Sequence, residues 1–151
     1  MARGLYIYAE EHSVRGRHHD FYPLSLGTTE KVTYWSPIVV ALEGRACVPF
    51  FDLRKSHKMT KLGKRFAFSA MHERIRASDP DFDEVAFAIV QFSSEKEVPR
   101  KPSFCFDEEF ELFDFEELDA MTRETYEIWY EILDGRRYEA RRSGGESGSI
   151  I

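Results

Sequence analysis

"EVAFAIVQF", Glu84 to Phe92, is the stretch on which the fold turns. Apart from Glu84 and Gln91 it is apolar at every position, with neither the two-residue alternation of a half-buried strand nor the 3.6-residue stripe of an amphipathic helix. Its β-branched and aromatic residues favour a strand, and a strand apolar on both sides has to be central, with something packed on each face of its sheet.

Working outward, the flanking segments supply neighbours for that strand. Upstream, "IVVAL" (Ile38 to Leu42) and Arg45 to Phe50 read as a hairpin turned at Glu43-Gly44, with Pro49 near its end, where a missing backbone donor is tolerated. "KVTYW" (Lys31 to Trp35) carries further strand signals ahead of the break at Pro37, and "LYIYA" (Leu5 to Ala9) reads as a first strand followed by a polar loop from Glu10 to Asp20. Downstream, "SFCF" and "FELFDF" read as a second hairpin closed by Asp107 to Glu109.

Two segments change period. Met59, Leu62, Phe66, Ala70, Met71 and Ile75 line one side of a helix that Thr60 caps. Leu118, Met121, Thr125, Ile128, Trp129 and Ile132 form the apolar stripe of a second helix, with Asp114 and Glu117 as a capping box and Gly135 at the C′ position. The pattern predicts a single α+β domain over 1–138, an antiparallel or mixed sheet of about six strands packed by two helices, about 60–76 and 115–134. Residues 139–151, including "RRSGGESGSII", have flexible-tail composition.

Composition narrows the class. With 13 Phe and 7 Tyr in 151 residues the chain is too aromatic for a disordered protein. Two cysteines, Cys47 and Cys105, each inside an apolar run, make no disulfide framework and suit a reduced compartment. No signal-peptide core and no membrane-length apolar run occur, so the expectation is a cytoplasmic protein without membrane contact.

The net charge of −6 hides a segregation. Leu53 to Arg76 holds eight lysines and arginines against Glu73 alone, while Phe104 to Asp134 holds twelve acids against Arg123 alone. If both helices bury their stripes on the sheet, the basic and acidic segments are expected on separate surfaces.

Candidate chemistry is sparse. His12, His18 and His19 with Asp20 are the best acid/base or metal-like cluster, but adjacent histidines on an extended backbone point to opposite sides, so no metal is expected there. Asp52, Lys55 and Glu43, with His19, resemble the acid-plus-lysine set of a small metal-dependent nuclease or phosphodiesterase, without the usual spacing. His72-Glu73 lacks the second histidine of a zinc-protease motif, and there is no glycine-rich phosphate loop and no nucleophile elbow. No cofactor is implied. Segment 54–65 could track phosphates and would make a nucleic-acid-binding accessory protein, although it has no stacking aromatics.

The acidic run points to a binding protein instead. The expected function is non-enzymatic and regulatory, of the inhibitor, immunity or accessory-subunit type, with a basic protein as partner. Its interface residues would be Glu108, Glu109, Glu111, Glu116, Glu117 and Asp119, with Tyr126 and Tyr130 as anchors. Exposed tyrosines and two-sided strands also leave room for a homodimer.

Overall fold

The structure, a computed structural model, describes residues 1–21, 36–93 and 99–144. Among these residues it is an α+β fold: a five-stranded mixed sheet in sequential order, with three α-helices. The elements are α1 (Ala2–Glu11), β1 (Arg15–His18), β2 (Ile38–Leu42), β3 (Arg45–Asp52), α2 (Lys61–Met71), β4 (Ala86–Phe92), β5 (Pro102–Phe106) and α3 (Phe115–Gly144).

β4 is the two-sided strand its sequence demands, buried at all seven positions. It runs parallel to β3 and antiparallel to β5, while β1–β2 and β2–β3 are antiparallel. Alternation along β4 sends Phe87 and Ile89 to one face, where Phe68, Met71, Ile75 and Leu118 complete the larger core cluster. Ala86 and Ala88 go to the other, against Leu42, Cys47, Tyr8 and Phe104. Bulky residues thus meet α2 and α3, and on the other face the small ones, Ala86 and Ala88, sit where Tyr8 of α1 packs.

The β2–β3 hairpin turns at Glu43 (φ 52) and Gly44 (φ 79), a left-handed pair that suits glycine at the second position. Pro49 falls beyond the last β2–β3 pair, Val40↔Cys47, so its missing N–H lies where that ladder has ended. Thr60 accepts the Gly63 amide hydrogen at 3.1 Å and caps α2, as the sequence indicates. After Met71 the helix widens into a π turn, His72 to Arg76, closed by Ala77 N–H donating to the His72 carbonyl at 2.8 Å.

Several expectations need correcting. "LYIYA" is helical: Gly4 and Tyr8, four residues apart, form the side of α1 that meets β5, where the Tyr8 ring lies tilted with its centroid 4.8 Å from that of Phe104. A Cβ on Gly4 would collide with the Arg100 carbonyl oxygen, so close backbone approach selects glycine. Gly4→Ala is expected to destabilise the fold by about 1–3 kcal/mol, measured by urea denaturation; an unchanged midpoint would show that α1 is not docked on β5.

The polar loop after α1 contains a strand, β1, and "FELFDF" is not one. Asp107–Glu109 form a 3₁₀ turn after β5, and the chain then runs without regular structure into α3. α3 passes through Gly135 to Gly144, and its stripe is buried only as far as Thr122. Leu62 likewise lies outside the core, 59% exposed. Lys31 to Trp35 lie outside the described residues.

Candidate functional site

The acidic segment begins in the core. Asp107 Oδ2 accepts from Arg76 Nη2 at 2.8 Å and Oδ1 from the Phe87 amide at 2.9 Å. Arg76 also donates to the Val85 carbonyl, at 2.6 Å from Nη2, and its guanidinium lies 4.4 Å over the Phe87 ring. The π turn thus delivers Arg76 to a buried carboxylate that fastens the end of β5 to β4.

Around this anchor the other acids do local work. Glu108 pairs with Arg45, and Glu109 accepts from the Phe106 amide at 3.4 Å. Asp114 and Glu117 form the expected capping box: Asp114 Oδ1 accepts the Glu117 amide at 2.8 Å, and Glu117 Oε2 accepts the Asp114 amide at 3.3 Å. Asp119 pairs with Arg123 one turn on, at 2.6 Å. Among the described residues, Glu111 and Glu116 have no ion-pair partner, and both are exposed.

The basic and acidic segments are not fully segregated. Arg65 lays its guanidinium 3.7 Å over the Phe113 ring and donates to the Leu112 carbonyl, while Lys61 and Arg65 share a cleft of about 370 Å³ with Glu109 and Glu111. With the Arg76–Asp107 pair, this makes a seam between α2 and the strand-to-helix connection. The reason is topological: β4 separates the two segments in sequence but α2 and the start of α3 cover the same sheet face, so their flanks meet.

Beyond the seam, α3 presents one exposed side. Glu116, Asp119, Arg123, Tyr126 and Tyr130 recur at three and four residues and share that side of the helix. Trp129 lies against both tyrosines, with ring centroids 6.3 Å from Tyr126 and 5.3 Å from Tyr130. Ile128, Trp129, Tyr130 and Ile132 keep between 46% and 51% of their surface in solvent.

The other candidates lie apart. Asp52, 4% exposed at the end of β3, accepts from Arg54 Nε at 2.7 Å, the Met59 amide at 3.0 Å and Gln91 Nε2 at 2.9 Å. The Arg54 guanidinium above all, then the Met59 and Gln91 donors, hold its carboxyl far below the usual carboxylate range against the opposing effect of burial. Its oxygens are therefore engaged in fastening the loop between β3 and α2. Glu43 sits at the opposite end of β3, Lys55 on the exposed loop, and His19 between Phe21 and Phe82, so the structure does not bring the nuclease-like set together. His18 pairs with Asp20 at 3.4 Å on the surface, and His12 stacks on Tyr8, so the three histidines go to three different neighbours. Cys47 is buried, and burial first, then the Asp107 charge, pushes its thiol up to about 12.

The family described as the sliding clamp-binding bacterial toxin SocB matches residues 1–139. This chain belongs to the SocB family. It is similar to the DNA replication inhibitor toxin SocB of Caulobacter vibrioides, 34% identical over 144 residues, which are 95% of this chain and 61% of that protein. The chain therefore spans about three fifths of the length of that SocB relative. No solved structure gives a significant match. No helix among the described residues is long and apolar enough to cross a membrane.

What the sequence missed is the exposure of α3. Its stripe has the right period for burial, but along α3 the buried positions end at Thr122. The signal that could have shown it is Arg123, Glu124 and Glu127, which already make the helix mostly charged where the core should continue.

Proposed function

We propose that this chain is a protein-binding inhibitor of the SocB type, acting in the cytoplasm by occupying a surface of a sliding clamp rather than by catalysis. The observation that carries it, beside the family, is the placement of Glu116, Asp119, Tyr126 and Tyr130 on one exposed side of α3. Glu108, Glu109, Glu111 and Glu117 lie at the foot of that helix and extend the negative field. Aromatic anchors rimmed by carboxylates suit a basic protein surface: the rings supply buried area and the acids steer the encounter.

The test is binding to a purified bacterial sliding clamp. The pair Tyr126→Ala and Tyr130→Ala is expected to weaken binding about 30-fold or more while the melting temperature stays put, since Tyr130 is exposed and Tyr126 only half-buried. Glu111→Lys with Glu116→Lys should slow association and flatten its dependence on salt. Affinity and rate unchanged in both variants would remove α3 as the interface.

A further inference from the structure

The distal part of α3 has an apolar side that the domain does not cover. Leu118, Met121, Thr125, Ile128 and Ile132 recur three or four residues apart along one side of the helix. Leu118 and Met121 pack on the larger core, but Ile128 and Ile132 leave 51% and 49% of their surface in solvent. From Arg123 to Gly144 the helix runs about 33 Å at ~1.5 Å per residue, and Gly135 near its middle weakens it by about 1 kcal/mol. Such a helix draws most of its stability from whatever covers its apolar side.

Two properties of the same stretch point to its cover. The first is charge: Arg123 to Asp134 holds four acids against Arg123 alone, a balance of −3, while Gly135 to Arg142 holds four arginines against Glu139 alone, a balance of +3. The two halves are equal and opposite. The second is shape. Gly135 lies three residues beyond Ile132 on the same side of the helix, and a Cβ built on it would meet nothing within 4 Å. One side of α3 therefore offers two branched side chains and, a turn further on, a patch of open backbone that such a side chain can enter.

We infer that two copies of this chain pair through α3, side by side and antiparallel, with Ile132 of each against Gly135 of the other. The antiparallel arrangement sets the acidic half of each helix beside the basic half of its partner, whereas a parallel one would set like charge on like. The register follows from the same geometry. Full overlap of the two stretches 123–144 puts their crossing between Leu133 and Asp134, and positions 132 and 135, equally far from that point, then face each other. The two domains come to lie at opposite ends of the helix pair, and the contact closes with two-fold symmetry. One helix side per copy is less than the ~1,600 Å² of a standard interface, so the pairing depends on concentration. Tyr126 and Tyr130 project from the far side of the helix, and the inference does not depend on the clamp reading.

The experiment is sedimentation of the purified chain over a dilution series, without any other protein. The unaltered chain should show the mass of two copies at high concentration and of one on dilution. Ile132→Glu should be monomeric throughout. So should Arg136→Glu with Arg137→Glu, whose helix is acidic from end to end, and Glu124→Arg with Glu127→Arg and Glu131→Arg, whose helix is basic along most of its length. An equimolar mixture of these last two variants should regain the mass of two, since each acidic helix then meets a basic one. That recovery also shows that both variants fold. An unaltered chain that stays monomeric, an Ile132→Glu or charge variant that dimerises like the parent through another surface or a parallel pairing, or a mixture that fails to recover would each overturn the inference.

Discussion

Asp107→Ala is expected to lower the unfolding free energy by about 3–5 kcal/mol, the range for removing one partner of a buried ion pair. The reason is the number of groups that would be left without a partner. Arg76, only about a fifth exposed at its side chain, would keep its bonds to the Val85 carbonyl but face no carboxylate, and the Phe87 amide at the start of the central strand would lose its acceptor. Asp107→Asn should cost less, because its carbonyl oxygen can still accept from Phe87 while the ionic contact to Arg76 is lost. Urea denaturation of the three proteins measures this order. A loss below about 1 kcal/mol for the alanine variant would mean that Arg76 finds another acceptor and that β5 is held to β4 by its ladder alone.

That carboxylate also limits how the acidic run can be read. Asp107, Glu109, Asp114 and Glu117 have structural partners, so reversing the whole run would confound folding with recognition. Glu116 is the site at which a charge reversal tests the surface alone, since it has no ion-pair partner among the described residues and, unlike Glu111, does not line the cleft with Lys61 and Arg65.

Legibility followed the local determinants. β4, the β2–β3 hairpin, the Thr60 cap and the Asp114–Glu117 box all rest on period or on residues within four positions, and each is where the sequence places it. α1 was not legible, because Tyr6, Ile7 and Tyr8 have strand propensity and what makes them helical is distant: the Arg100 backbone against Gly4 and Phe104 against Tyr8. The end of α3 was not legible for the opposite reason. Gly135 costs a helix interior about 1 kcal/mol, which marks a stop only when nothing else sustains the helix, and here two good turns on either side carry it through. The site was legible as residue types and not as a surface. That Glu116, Asp119, Tyr126 and Tyr130 share a side follows from spacing, but that Glu116 and Tyr130 stay exposed while Asp119 and Tyr126 are partly covered depends on the tertiary fold.

Asp52→Ala is expected to cost about 3 kcal/mol at neutral pH, and the cost should shrink as the solution is acidified. In the folded chain the Asp52 carboxylate takes hydrogen bonds from Arg54, Met59 and Gln91, and alanine leaves the Met59 amide and the Gln91 side chain without an acceptor in a part-buried position. Because these donors hold its carboxyl below its ordinary value of about 3.9, the folded state binds the proton less readily than the unfolded one. The stabilisation is therefore complete above about pH 4 and is lost as pH falls toward the depressed value, so the unaltered chain should become less stable between about pH 4 and pH 2 by this group alone. Asp52→Asn has no such titration, and its amide nitrogen would face donors instead of accepting from them, so it should start low at neutral pH and draw level with the parent on acidification. Denaturant midpoints taken across that window measure the gap. A gap of the same size at pH 7 and pH 2 would mean that the carboxylate contributes shape rather than charge, and the loop from Leu53 to Thr60 would then be held by the packing of Met59 against the core instead.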